Sequence, residues 1–163
     1  MGESLTPKTN SPARARSSIS LRRRHPGRSP DTKPLRALVA AAGTRLERAG
    51  DRVEILLVGD GASRRYNRDY LGRDRPTNVI SFPADEAGEW GQLIVNVDEA
   101  ARQSGETGYG LLYLTGYYIL HGLLHLSGYD HERVSPDEAA RMKEREEALR
   151  DLLAPLLEQE DGK

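Results

Sequence analysis

Three of the four histidines of this 163-residue chain lie in one short segment, HGLLHLSGYDH at 121–131. His121 and His125 are four residues apart in a segment of helical composition, so both imidazoles point the same way, about 6 Å apart along the axis. Gly128 favours a reversal of the chain that would return His131 to the same point. Three converging imidazoles with an open fourth position can hold a catalytic zinc ion. We therefore predict one zinc ion per chain, bound by His121, His125 and His131.

The residues beside the histidines narrow the chemistry of such a site. A zinc protease of the H-E-x-x-H type carries its general base directly after the first histidine, and this chain has Gly122 there. Asp130, next to the predicted third ligand, is the remaining candidate carboxylate. It would orient a water molecule or hold the second nitrogen of a ligating histidine. The alternative is that Asp130 only caps the turn.

A small domain of mixed helices and strands must position these residues. Apolar periodicity and capping signals predict helices at 35–50, 62–71, 98–103, 109–126 and 135–153. Short apolar runs predict strands at 53–58, 78–82 and 92–97. This order of elements indicates an α+β or α/β domain, with the predicted metal site on a long helix and the loop that follows it.

Charge divides the chain near residue 34. Residues 1–34 carry eight Lys or Arg against two acidic residues, whereas the rest carries 16 Lys or Arg against 23 acidic residues. We predict a disordered basic tail over 1–34, a globular domain over 35–155 and a flexible end over 156–163. A mitochondrial transit peptide and a mis-assigned start codon are alternative explanations of the tail. A basic tail on an acidic body often accompanies polyanion binding.

The composition excludes several classes of protein. There is no cysteine, which excludes disulfide scaffolds, cysteine-ligated metal centres and thiol catalysis. The longest apolar runs are shorter than the roughly 18 residues that span a bilayer, so we expect no integral membrane protein. Residues 59–63, GDGAS, lack the Gly-Lys-Ser/Thr ending of a phosphate loop and predict only a turn before a helix.

Two segments together resemble one protein family. HGLLHLSGYDHE at 121–132 resembles the signature of the YbeY family, bacterial zinc-dependent endoribonucleases that mature ribosomal RNA. YNRDYLGRDRPTNVISFP at 66–83 resembles the second motif of the same family. The order and separation of the two segments also match, so the resemblance extends over about residues 35–155.

The resemblance implies an α+β fold in which a central mixed sheet is flanked by helices and the metal-binding helix lines a cleft. It implies cleavage of single-stranded RNA and a cytoplasmic role in 3′-end maturation of small-subunit rRNA and in ribosome quality control. The implied partners are single-stranded RNA and the small ribosomal subunit, with no membrane. Zinc would be held by His121, His125 and His131.

The second motif contributes both structural and substrate-binding residues. Asn67 and Asp74 are expected to tie loops, the apolar residues of 78–82 to fill a buried strand, and the Ser81 hydroxyl to bond backbone.

Two positions depart from the family pattern. Leu71 stands where the family commonly has a phosphate-binding arginine, and Gln92 replaces a common acidic residue. Arg73, Arg75 and Arg68 are therefore our candidates for holding RNA phosphates, with a salt-paired surface loop as the alternative. The rival functions are a zinc hydrolase of a peptide or amide and a ribosome-assembly factor with a structural zinc.

Overall fold

The structure is a computed structural model that describes residues 18–27, 29–128 and 135–161. The strands are β1 (Ile19–Arg23), β2 (Arg52–Val58), β3 (Val79–Pro83) and β4 (Glu89–Asn96). The helices are α1 (Thr32–Arg45), α2 (Asp60–Leu71), α3 (Val97–Thr107), α4 (Leu111–Leu126), α5 (Pro136–Arg150) and α6 (Ala154–Asp161), and a 3-10 turn at Asp151–Leu153 joins α5 to α6. None of the described helices is long and apolar enough to span a membrane.

The four strands form one mixed sheet in the order β1-β2-β4-β3. β1, β2 and β4 run parallel, and β3 pairs antiparallel with β4 at one edge. The central strands β2 and β4 contribute residues to core clusters on both faces of the sheet, which explains the continuous apolar run of β2. The predicted α+β fold with a small mixed sheet flanked by helices is confirmed.

Alternation along the strands divides the core into two layers. Inward residues such as Leu57 and Leu93 belong to the main cluster, which is filled by α1 and α4. Their neighbours Leu56 and Ile94 point to the opposite face and form a smaller cluster against α2. This period of two places α4 on one face of the sheet and α2 on the other.

The predicted tail over 1–34 is wrong for the part that the structure describes. Residues 19–23 form β1, which pairs in parallel register with β2, and Leu21 is 1% exposed. Asp31 caps α1 by accepting a hydrogen bond from the backbone N–H of Lys33. The sequence did not predict β1 because the strand is short and has only two apolar residues beside its arginines. Arg22 is paired with Glu54 of β2. Residues 1–17 lie outside the described residues.

His25, which the sequence analysis leaves in the tail, is also part of the fold. Its Nε2 lies 2.8 Å from Oδ1 of Asp98, and its Nδ1 accepts the backbone N–H of Gly27. The contact forms because the carboxyl ends of parallel strands meet at one edge of the sheet: His25 follows β1 and Asp98 follows β4.

The predicted flexible end over 156–163 is wrong up to residue 161. α6 continues the chain there, and Leu156 is 2% exposed in the main core. A Cβ at Gly116 of α4 would lie 2.5 Å from Leu156 and 3.1 Å from Leu38. The glycine therefore lets both leucines approach the helix axis, which fastens the end of the chain to α4.

Helix ends follow the local capping chemistry. The predicted capping box at the start of α5 is confirmed: the Ser135 hydroxyl accepts the Glu138 N–H, and the Glu138 carboxylate accepts the Ser135 N–H. α3 starts earlier than predicted, because Asn96 and not Asp98 is its N-cap. The Asn96 side chain accepts the N–H groups of Asp98 and Glu99 at 2.9 and 3.2 Å.

Candidate metal centre

α4 is the helix that carries the first two predicted metal ligands. Most of its residues are buried, because it packs against the sheet on one side and against α1, α3 and the C-terminal helices on the others. From residue 112 to 126 its positions that are not buried are 113, 117, 121 and 125. These positions recur every fourth residue, so they form one seam along the helix surface. His121 and His125 are the last two positions of that seam.

The two imidazoles converge as their spacing predicts. Nε2 of His121 lies 3.1 Å from Nε2 of His125, and the rings meet edge to face with centroids 4.7 Å apart. Two nitrogens bound to one tetrahedral zinc at the usual 2.0–2.1 Å would be about 3.3 Å apart. The pair therefore fits two of the ligand positions of a zinc ion.

A carboxylate that the sequence analysis missed lies behind this pair. Oε2 of Glu146 is 3.7 Å from Nδ1 of His121, and both side chains are largely shielded from solvent. Metal-ligating histidines commonly direct their second nitrogen to such a carboxylate, which fixes the orientation of the ring. The charged pattern of α5 gave no sign of this contact, because only the packing of α5 against α4 decides which of its glutamates faces His121.

The predicted third ligand and its neighbour are not part of the described structure. His131 and Asp130 both lie in the segment 129–134, outside the described residues. Within the residues that are described, no three potential metal ligands come together. Glu146 does not complete the set, because it faces Nδ1 of His121 and not the Nε2 atoms that converge.

Gly122 has a packing role that explains why no protease base follows His121. A Cβ at residue 122 would lie 2.7 Å from Cδ2 of Leu93 and 3.2 Å from Cγ2 of Val79. This position faces the sheet, against Leu93 of β4 and Val79 of β3. A glutamate at 122 would have to enter the core, so the H-E-x-x-H arrangement is incompatible with this helix packing.

A small cleft, open to solvent, lies beside His121. Its floor consists of leucines from α4, α5 and the 3-10 turn, and its walls are Tyr117, His121, Glu146 and Arg150. The pKa of Tyr113, one turn before Tyr117, is raised, chiefly by burial. The positive charge of Arg150 acts in the opposite direction, which shows that this cation lies near the tyrosines of α4. The cleft therefore joins an apolar floor to one of the metal-binding histidines and a cation.

Residues of the second motif tie the loop between α2 and β3. The Asn67 side chain donates a hydrogen bond to the carbonyl oxygen of Arg75 at 2.8 Å, and Asn67 is 3% exposed. Arg64 contacts both carboxylate oxygens of Asp74, and this pairing holds the pKa of Asp74 below its usual range. The predicted loop-tying roles of Asn67 and Asp74 are confirmed. Ser81 Oγ lies 3.5 Å from the carbonyl oxygen of Gly122, which agrees with a backbone partner.

The three arginines proposed for phosphate binding differ in their surroundings. Arg68 pairs with Asp69 at 3.0 Å. Arg73 and Arg75 are exposed, and the structure gives neither an ion pair with any described residue. As far as the chain is described, none of the three lines the cleft beside His121. Leu71 is 51% exposed, so an arginine at that position would reach solvent.

Gln92, the second departure from the family pattern, is explained by its cross-strand neighbour. Gln92 of β4 lies directly opposite Glu54 of β2 and donates a hydrogen bond to its carboxylate at 3.0 Å. An acidic residue at 92 would place two carboxylates side by side, which destabilises a strand pair.

Comparisons with known proteins agree with this arrangement. A family model described as Endoribonuclease YbeY matches residues 32–154. A relative of that name from Geobacter sulfurreducens is 44% identical over 109 residues, which cover 62% of this chain and 72% of the relative. The Endoribonuclease YbeY of Geobacter metallireducens is 39% identical over 135 residues, which cover 78% of this chain and 87% of the relative.

A solved structure supports the fold. The solution structure of TM1509 from Thermotoga maritima superposes with a TM-score of 0.61 at 22% identity, and the match covers 87% of this chain and 93% of that one. At this identity the likeness shows the fold alone. The family match and the relatives above extend over most of the chain, and on that ground this chain belongs to the YbeY endoribonuclease family.

Proposed function

We propose that this protein is a metal-dependent endoribonuclease that hydrolyses phosphodiester bonds of single-stranded RNA. The observation that carries the proposal is the convergence of the His121 and His125 Nε2 atoms in a chain of this family. Relatives named Endoribonuclease YbeY support this reaction class over a peptide or amide hydrolase and over a binding factor with a structural zinc. The proposed setting is the cytoplasm, with 3′-end maturation of small-subunit rRNA as the role and the small ribosomal subunit as the partner.

We assign one zinc ion per chain to His121, His125 and His131. Bound zinc supplies Lewis acidity, which polarises a phosphoryl oxygen and lowers the pKa of water toward 7. Both Nε2 atoms must be unprotonated to act as ligands, so each imidazole then carries its proton on Nδ1. The Glu146 carboxylate faces the Nδ1 atom of His121 and favours that tautomer. Asp130 remains the candidate for orienting water or a ligand.

Phosphate binding is assigned to the loop between α2 and β3. Arg73 and Arg75 extend into solvent, and the carboxylates nearest in sequence are engaged elsewhere: Asp74 pairs with Arg64, and Asp69 pairs with Arg68. A guanidinium without a competing carboxylate can give two charge-assisted hydrogen bonds to a phosphate. Arg68 contributes when RNA displaces its surface partner, since such exposed pairs are worth little.

The test combines metal analysis with cleavage of a single-stranded RNA and of the same sequence in a duplex. We expect the full chain to contain one equivalent of zinc and to cleave the single strand preferentially. His121→Ala and His125→Ala should each lose bound zinc and lower the cleavage rate at least ~100-fold, because no other side chain in the described part of α4 replaces the missing ligand.

His25→Gln is the matched control. His25 lies next to Asp98 and not at the metal centre, and glutamine can still donate to that carboxylate. This variant should keep its zinc and its cleavage rate. Full zinc content in both alanine variants would show that the metal centre is assigned wrongly. Absence of RNA cleavage by the zinc-loaded wild type would refute the proposed reaction.

A further inference from the structure

We propose that the cleft beside His121 is a nucleobase subsite, which binds one base of the single-stranded RNA next to the scissile phosphodiester by stacking on Tyr117. The inference rests on the proposed function and adds to it the part of the substrate that this surface recognises. Three features of the described structure support it: the lining of the cleft, the exposed ring of Tyr117, and the position of Arg150.

The lining of the cleft suits the face of a flat heterocycle. The cleft is small and open to solvent, so a base stacks at its mouth and is not enclosed. Its floor is apolar and consists of Leu120, Leu124, Leu149 and Leu153. A base that turns out of a single strand can lie against Tyr117 and shield the apolar mouth of this cleft from water. In a duplex the same base is stacked and paired, so this site discriminates against double-stranded RNA.

Tyr117 gives the cleft an aromatic wall that is open to a ligand. Its side chain is 41% exposed, although the positions that flank it on α4, Gly116 and Tyr118, are buried. Tyr113 on the same seam stacks on Tyr109, which lies just before α4, at a centroid distance of 4.7 Å. Stacking of a base on an aromatic side chain contributes about 1–3 kcal/mol and tolerates every base.

Arg150 supplies a positive charge at the same cleft. It is exposed, and it has no ion pair with any residue that the structure describes, whereas nearby Arg45 is paired with Asp151. An arginine beside a stacked base is placed to contact the phosphate that follows it. Glu146, the acidic residue in the lining, is directed toward Nδ1 of His121.

Continuity with the metal centre favours an RNA base over an unrelated ligand. Tyr117 precedes His121 by four residues on the seam of α4, which is about 6 Å along the helix axis, and both side chains line the cleft. Successive bases in single-stranded RNA are separated by a similar distance. A strand whose phosphate reaches the histidine pair therefore has an adjacent base within reach of Tyr117.

The experiment measures the binding of short single-stranded RNAs in which one base after another is removed to leave an abasic site. Stopped-flow fluorescence anisotropy resolves binding before cleavage. We expect Tyr117→Ala and Tyr117→Leu to weaken binding of intact RNA by ~5–100-fold, and Tyr117→Phe to bind like the wild type, because stacking requires the ring and not the hydroxyl. For one particular abasic position, wild-type binding should be weakened as much as Tyr117→Ala weakens binding of intact RNA. On that abasic RNA, Tyr117→Ala and the wild type should bind equally.

Two matched controls separate this subsite from general effects. Tyr109→Ala removes an exposed tyrosine that lies just before α4 and outside the cleft, and it should leave affinity unchanged. Arg150→Gln should lower the salt dependence of binding by about one phosphate contact, whereas Arg141→Gln, on the opposite face of α5, should not. Zinc content is measured for every variant.

The outcomes distinguish this inference from the proposed function. If the wild type cleaves single-stranded RNA but Tyr117→Ala binds like the wild type, or loses affinity equally for intact RNA and for every abasic RNA, then the subsite is refuted and the reaction stands. If the wild type neither binds nor cleaves single-stranded RNA, both are refuted.

Discussion

Single atoms decide how closely α4 approaches the sheet, and hence where its histidines point. Gly122 is the residue between the two ligands that faces the core, and its hydrogen stands where a side chain would meet Leu93 and Val79. His121 and His125 lie on the outer seam of the same helix. The glycine after the first ligand is therefore a packing requirement, and it also removes the protease base from the motif.

Gly122→Ala tests this packing. We expect the free energy of unfolding to fall by ~1–3 kcal/mol, because the new methyl group lies 2.7 Å from Leu93, which is fully buried and cannot move aside without strain. Urea denaturation followed by circular dichroism measures the change.

Gly105→Ala in α3 is the control for Gly122→Ala. A Cβ at residue 105 has no neighbour within 4 Å, so alanine should stabilise the protein by ~0.5–1 kcal/mol through helix propensity alone. An equal gain at both positions would show that α4 does not press on the sheet at residue 122.

A cluster of hydrogen bonds, which we call the joint, connects the helices α2 and α3 that follow strands β2 and β4. Asp60, at the start of α2, accepts two hydrogen bonds from Arg102 of α3 and one from Asn96, all at 2.8 Å. Asp98 accepts the backbone N–H of Asp60 and also contacts His25. These polar contacts link three segments at the carboxyl ends of β1, β2 and β4, the edge where parallel strands deliver their following residues.

Asp60→Asn should expose the charge dependence of this joint. The hydrogen bonds from Arg102 are the largest influence on the carboxyl and lower the pKa of Asp60 to about 2 from its usual 3.8. A carboxyl with a lower pKa in the folded state stabilises the fold above pH 3.8, and this stabilisation is lost as the pH falls toward 2. We expect a loss of ~1 kcal/mol at pH 7, since the pair is partly exposed and screened.

Urea denaturation at pH 7, 5 and 3 measures this effect. The difference between Asp60→Asn and the wild type should stay constant from pH 7 to 5 and shrink at pH 3. Asp69→Asn, which removes an exposed partner of Arg68 on the same helix, should leave the stability unchanged. A difference for Asp60→Asn that persists undiminished at pH 3 would mean that geometry, and not charge, holds the joint.

The distribution of charge over the whole chain changes once β1 belongs to the domain. Five of the eight basic residues of 1–34 lie beyond residue 17, and three of them, Arg22, Arg23 and Arg24, are in β1 or directly after it. The only basic residues of segment 1–17 are Lys8, Arg14 and Arg16. Half of the positive charge that the sequence assigns to a tail, on Arg22, Arg23, Arg24 and Lys33, thus belongs to the described fold.

Two truncations test where the folded domain begins. Deletion of residues 1–17 should leave the free energy of unfolding unchanged. Deletion of residues 1–34 should lower it by at least ~3 kcal/mol, because it removes β1 with the buried Leu21 and the cap of α1 at Asp31. Denaturant midpoints measure both. Equal stability of the two truncated proteins would show that the folded domain begins after residue 34, as the sequence predicts.

The sequence alone predicted the features that depend on residues close together in the chain. The spacing of His121 and His125 placed both imidazoles on one face of a helix, where their Nε2 atoms lie 3.1 Å apart. The capping box at Ser135 was also readable, because both of its hydrogen bonds lie within four residues. The order of helical and strand-like segments indicated an α+β or an α/β domain, and the resemblance to the YbeY family implied the α+β class.

Other features depend on contacts between residues far apart in the chain, which no local pattern encodes. β1 is a strand because β2 supplies its hydrogen bonds and its core, and Leu156 is buried because Gly116 leaves space for it. Glu146 faces His121, and Tyr117 faces a cleft, only because α5 packs against α4 in one particular rotation. The amino-acid sequence determined the donor groups and their local spacing. The packing of distant elements determined which carboxylate, which ring and which cation surround them, because burial fixes those choices across the whole molecule.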